Sequence, residues 1–161
     1  MAQGTGKINQ RGCPTVDVEV SGAVPTIKRP INALIDTGFS GFLLLPILEA
    51  FPVGLVLHGT TNVTLADGSS HSKLTCLGFV EFGGEKEGGV IIIEEKSTEA
   101  LLGMEFLKKF KLSFVTDPDI GAVALIPSAV LKQALSPTVS TPAQPTASTT
   151  PSSTGSTTKT P

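Results

Sequence analysis

The chain is 161 residues long, carries 12 Lys and Arg against 14 Asp and Glu for a formal net charge of −2, and contains neither Trp nor Tyr. That length holds one globular domain and, beside the polar tail described below, no second. Scattered cations and missing stacking aromatics exclude the phosphate footprint and base platform of a nucleic-acid binder.

Residues 1–14 hold little apolar material and are expected to form a flexible N-terminal segment without the apolar stretch of a secretory signal. Gly4-Thr5-Gly6-Lys7 lacks the upstream glycine and the preceding strand of a phosphate-binding loop. The most apolar window, residues 41–57, is shorter than the ~20 residues of a spanning helix and is interrupted by Pro46, Glu49 and Pro52. Cys13 and Cys76 stand in no metal-ligand spacing and read as ordinary reduced thiols. The expectation is a soluble, cytoplasmic protein with no membrane partner.

Residues 15–127 carry the pattern of a single β-rich domain. Val16, Val18 and Val20 alternate with Asp17 and Glu19, which predicts a half-buried strand ended by Ser21-Gly22. A second strand is predicted over residues 27–35, with Pro30 asking for a bulge or an unpaired edge. Residues 42–45 read as a short buried strand, followed by a helical turn that Pro46 opens and Pro52 and Gly54 close. Strands over residues 55–66 and 71–82 flank Asp67-Gly68-Ser69-Ser70, a strong hairpin signal because Asp and Gly tolerate positive φ. Gly83-Gly84 and Gly88-Gly89 are expected to bracket another tight connection before the β-branched run of residues 90–93.

Leu101-Leu102-Gly103 then leads into residues 104–110, where Phe106, Leu107 and Phe110 have helical spacing. Residues 112–115 and 122–126 predict a terminal hairpin around Asp117-Pro118-Asp119-Ile120-Gly121. Ser128 suits the cap of a short helix over residues 128–135. Residues 136–161 are almost entirely Ser, Thr, Pro and Ala, a composition that cannot bury enough apolar surface to offset its ordering entropy, so a disordered tail is expected.

Within this frame, Ala33-Leu34-Ile35-Asp36-Thr37-Gly38-Phe39-Ser40-Gly41 delivers a carboxylate at the end of an apolar strand. A buried carboxylate is costly unless it is hydrogen-bonded or paired. Taken alone, Asp36 reads as the opening of a tight turn. The Asp-Thr-Gly triplet, the Asp67-Gly68 hairpin and the downstream Leu-Leu-Gly before a short helix together resemble a retropepsin-like aspartic protease, in the manner of the small prokaryotic members.

The resemblance covers roughly residues 16–126 and implies an all-β, closed barrel with one or two short helices. It implies catalytic Asp36, Thr37 and Gly38, and substrate contacts from Phe39, Ser40, Leu102, Gly103 and a flap tip formed by Ala66, Asp67, Gly68 and Ser69. Bilobal relatives carry two triplets in one chain, whereas this chain has one, so a working site requires a homodimer acting on a peptide or protein substrate. Two adjacent carboxylates sharing a proton serve as acid and base without any cofactor or metal. Thr37 is then expected to hydrogen-bond across the pair, and Gly38 to let a substrate backbone lie close. Phe39 stands where many relatives have Ala or Ser, which implies a narrower cleft and an activity optimum less acidic than in pepsin-like enzymes.

Competing readings are weaker. Gly38-Phe39-Ser40-Gly41-Phe42 lacks the final glycine of a nucleophile elbow. His58 and His71 have no third ligand at useful spacing and read as solvated strand residues. The rival to an endopeptidase is a catalytically silent, dimeric β-barrel that binds peptides in the same cleft; a monomeric barrel with Asp36 in a structural turn predicts no self-association.

Overall fold

The computed structural model describes residues 1–24, 26–64 and 68–136. Ala66 and Asp67, placed at the hairpin tip by the sequence, and the expected tail beyond Ser136 lie outside the described residues. The ten described strands are β1 (Gly4–Ile8), β2 (Pro14–Ser21), β3 (Lys28–Ile35), β4 (Leu43–Pro46), β5 (Val56–Thr64), β6 (Ser70–Phe82), β7 (Glu85–Glu94), β8 (Ala100–Leu102), β9 (Leu112–Asp117) and β10 (Ala122–Pro127). Three short α-helices, α1 (Ile47–Ala50), α2 (Met104–Lys109) and α3 (Ser128–Leu135), and one 3-10 turn, Phe51–Val53, accompany the described strands. None of the described helices is long and apolar enough to cross a membrane.

Six strands close a barrel in the order β2-β3-β8-β4-β7-β6, with β6 returning to pair with β2. The pairs β3–β8 and β4–β7 are parallel, and the other barrel pairs are antiparallel. Closure depends on β6 changing partners: its edge pairs with β5 up to Leu77 and with β2 from Phe79 onward. Gly78 stands at that switch, where a Cβ would come within 2.6 Å of Ile91 Cδ1 and 2.7 Å of Leu55 Cδ2. Outside the barrel, β1 joins β2 to β10, and β10 carries β9 at the sheet edge.

Alternation fixes which side chains enter the core. Val16, Val18 and Val20 are buried between the exposed Asp17 and Glu19, and Leu43, Leu45, Ile91, Ile93, Val80 and Leu102 join them. Beneath the barrel, α2 contributes Phe106 to a cluster of rings: Phe106 lies 4.8 Å from Phe110, 5.8 Å from Phe82 and 6.3 Å from Phe42 between centroids. The edge-on and tilted packing matches the quadrupoles of the rings.

Several local expectations change in the structure. No element is expected before residue 15, yet Gly4–Ile8 forms β1, because β2 and β10 offer open edges on both sides of it. Gly83-Gly84 alone makes the β6–β7 turn, both residues at positive φ. Gly88 and Gly89 lie inside β7 opposite Phe79 and Gly78; a Cβ on Gly89 would sit 2.2 Å from the Phe42 ring. Packing space, not turn geometry, is what requires glycine there. Pro30 causes no bulge: it pairs in register with Glu19, and its other edge is open because β8 meets β3 only from Ala33 to Ile35. Ser128 is the first residue of α3, not its cap, and its Oγ accepts a hydrogen bond from Ser113.

Phe106 is fully buried at the centre of the ring cluster. Phe106→Ala is therefore expected to cost about 3–5 kcal/mol. Urea unfolding followed by far-UV circular dichroism reads this loss, since the chain has no Trp or Tyr to report by fluorescence.

Candidate active site

Strand β3 ends at Ile35, and the next residue continues its parallel ladder: the Asp36 amide donates to the Leu102 carbonyl at 3.0 Å. The chain then turns, with the Phe39 amide donating to the Asp36 carbonyl at 3.1 Å. Inside the turn, Asp36 Oδ1 accepts the Gly38 amide at 2.9 Å. This bond satisfies part of the acceptor capacity of the carboxylate and fixes its direction. Asp36 itself is half-buried, while Thr37 and Gly38 are exposed.

The same loop is stitched to the start of α2. Met104 and Glu105 amides donate to the Phe39 and Gly41 carbonyls at 2.8 and 3.2 Å, and the Gly103 amide donates to the Phe42 carbonyl at 3.3 Å. Helix α2 has no side-chain cap, so the loop carbonyls satisfy its first amides. The crossing is too close for a side chain. A Cβ on Gly103 would lie 2.3 Å from the Gly41 carbonyl oxygen and 2.4 Å from that of Phe39. The Phe39 ring folds over the same place, with its Cδ1 2.7 Å from a Cβ on Gly103 and its Cζ 2.4 Å from one on Gly41.

The other residues singled out by the sequence divide between two concavities. Thr37 and Ser40 are exposed and line a depression of about 750 Å³ with Met104, Leu107, Leu112 and Phe114. Leu102, expected to touch substrate, has its side chain fully buried in the core, so only its backbone reaches the site. Leu101 faces the other way: together with Leu44 it lines a cavity of about 410 Å³ beneath the β5–β6 hairpin, where Val63, His71 and Lys73 hang over it. Gly68 adopts φ +81° at the hairpin tip, and Ser69 Oγ lies 3.2 Å from His71 Nε2. His58 and His71 are both exposed.

Sequence reasoning missed Leu101, Gly41 and an ion pair between Lys73 on β6 and Glu94 at the end of β7. The two side chains are only 18% and 16% exposed, with Lys73 Nζ 2.7 Å from Glu94 Oε1. Burial by itself would raise the Glu94 carboxyl, but hydrogen bonds from the Lys73 ammonium and from the Lys96 and Glu95 amides outweigh it and hold the group below its ordinary value. The strand predicted over residues 71–82 contains Lys73, yet nothing local announced its partner.

No family model matches the chain, and no curated protein matches it in sequence. Among solved structures it is similar to the EIAV protease in complex with an inhibitor, at TM-score 0.54 and 16% identity, covering 67% of this chain and 97% of that one. It is also similar to a retropepsin-like aspartic protease from Rickettsia conorii, at TM-score 0.52 and 22% identity, covering 76% of this chain and 89% of that one. The likeness establishes the fold: a retropepsin-like β-barrel.

Two outcomes follow from this geometry. Gly103→Ala drives a methyl into two backbone carbonyls and is expected to cost about 1–3 kcal/mol in denaturant unfolding, more than an exposed substitution. A depressed Glu94 contributes stability that is complete above its ordinary value of 4.5 and is lost as pH falls through its lower folded value. Glu94→Gln is therefore expected to flatten the acid limb of a stability–pH curve measured by circular dichroism; an unchanged limb refutes the assignment.

Proposed function

We propose that this chain is an aspartic-type endopeptidase in which two copies each supply one Asp36. The observation that carries the proposal is the setting of that residue. Its backbone is tied to the crossing strand and its own turn, while its side chain is only half-buried, so a carboxylate is presented in a fixed direction at the mouth of a rigid loop. The retropepsin-like fold supports the reading, since the two similar structures are described as proteases. One acid per chain is half of the chemistry, and the exposed Thr37 beside it leaves room for a twin loop from a second copy.

In the pair, one carboxylate is ionised and the other keeps the shared proton. The ionised group takes a proton from a water whose oxygen adds to the peptide carbonyl carbon, and the protonated group hydrogen-bonds the carbonyl oxygen. A neutral tetrahedral diol results. Its collapse breaks the C–N bond as a proton passes to the leaving nitrogen, giving a carboxylic acid and an amine. Thr37 bridges the two loops, Gly38 lets the substrate backbone approach, and the β5–β6 hairpin, through Gly68 and Ser69, covers the bound peptide. Phe39, Ser40 and the backbone of Leu102 and Gly103 complete the walls. No cofactor or metal enters this scheme.

Sedimentation of the full chain is expected to give a dimer, and digestion of an unbiased peptide library is expected to give cleavage that Asp36→Asn lowers by about 10²–10⁴-fold. Cleavage that survives the substitution removes Asp36 from the chemistry. A dimer that captures peptides and never cuts them identifies a silent peptide-binding barrel instead.

A further inference from the structure

The barrel wall has an apolar outer surface that the core does not use. Across the sheet, Leu34 stands opposite Leu101, Leu101 opposite Leu44, and Leu44 opposite Ile92, so these four share one row on the side facing away from the barrel centre. Leu44 and Ile92 are 8% and 9% exposed, yet neither belongs to the main core cluster. The hairpin above leaves the cavity of about 410 Å³ described earlier. Asp36 follows Leu34 at i+2 on the same strand face, and Leu101 immediately precedes the residue whose carbonyl holds the Asp36 amide. Diagonal neighbours on a sheet are about 7–8 Å apart, so this cavity opens within one side chain of the candidate catalytic acid.

Its polar lining holds two ammonium groups, Lys73 and Lys96, against one carboxylate, Glu94, for a net positive charge. Lys73 spends one of its three donors on Glu94 and lines the cavity, while Lys96 lines the same space and its ammonium has no ion-pair partner among the described residues. Glu94 Oε1 accepts from both the Lys73 ammonium and the Lys96 amide, at 2.7 and 3.1 Å. The space thus offers methylene-sized apolar contact below and spare ammonium donors above.

We propose that this cavity is a side-chain subsite for glutamate in a bound peptide, with Leu44, Leu101 and Val63 receiving the methylenes and Lys73 and Lys96 receiving the carboxylate. Glutamate has one more methylene than aspartate to set against the leucine floor, and glutamine lacks the charge that the donors favour. The inference rests on the reading of this cleft as a peptide site and adds what that site selects.

The test measures binding, not cleavage, so that it stands apart from the chemistry. Full-length Asp36→Asn protein is incubated with a positional-scanning peptide library, and captured peptides are sequenced. One position is expected to favour glutamate over glutamine by about tenfold, a typical share for a partly buried charge-assisted contact. Lys73→Met on its own would strand Glu94 without a partner, so the informative variant is Lys73→Met with Glu94→Gln, which removes both charges together. It is expected to bring the glutamate-to-glutamine ratio near one, and the surface change Lys96→Ser, which leaves the fold untouched, to lower it part of the way. Absence of any glutamate preference, a preference untouched by these variants, or no peptide capture at all overturns the subsite. Glutamate-selective capture by the Asp36→Asn protein, with no cleavage by the unmodified chain, confirms the subsite and rejects the endopeptidase.

Discussion

The structure depends on one crossing: the loop after β3 passing over the end of β8 at backbone-to-backbone distance. Four amides, from Asp36, Gly103, Met104 and Glu105, donate across it to carbonyls of Leu102, Phe42, Phe39 and Gly41. Such bonds are directional and, once buried, expensive to leave unmade. They require that neither Gly41 nor Gly103 carry a side chain, because the space a Cβ would fill belongs to a carbonyl oxygen or to the Phe39 ring. A connecting loop is ordinarily a mobile surface element. Here it is held as firmly as a strand, and the Asp36 side chain inherits that rigidity.

Phe39 has a part in this that its position beside the triplet did not suggest. Its ring lies against the α-carbons of Gly41 and Gly103 and is half-buried there. Beside the narrowing of the cleft expected of a bulky side chain, the ring has a packing role: it covers the crossing. The glycines and the phenylalanine are therefore one unit, and substitution at any of them is felt at the other two.

The barrel wall divides the work between its faces. Inward residues of β2, β4, β7 and β8 build the core, and outward residues of β4, β7 and β8 build a surface under the hairpin. The first residues of β6, from Ser70 to Leu74, pair only with β5. A two-stranded ribbon standing clear of the sheet has few buried contacts and belongs to the less stable part of a fold. The Lys73–Glu94 pair ties the base of that ribbon to the end of β7, beside Leu101 and Leu44.

Much of this was written into the local order of residues. Alternation in residues 15–20 fixed β2 and its buried face, the helical spacing of Phe106, Leu107 and Phe110 fixed α2, and Asp-Thr-Gly after an apolar run marked the candidate site. These features were legible because side-chain periodicity and turn chemistry act over a few neighbours. What tertiary structure alone decided was partnership: that the glycine-rich first residues find edges on β2 and β10, that Gly88-Gly89 make room for Phe42, that Leu101 and not Leu102 faces the cavity under the hairpin, and that Lys73 meets Glu94. Each of those outcomes is set by which strand lies alongside and in what register, and register is chosen by the burial of whole faces brought together from distant parts of the chain.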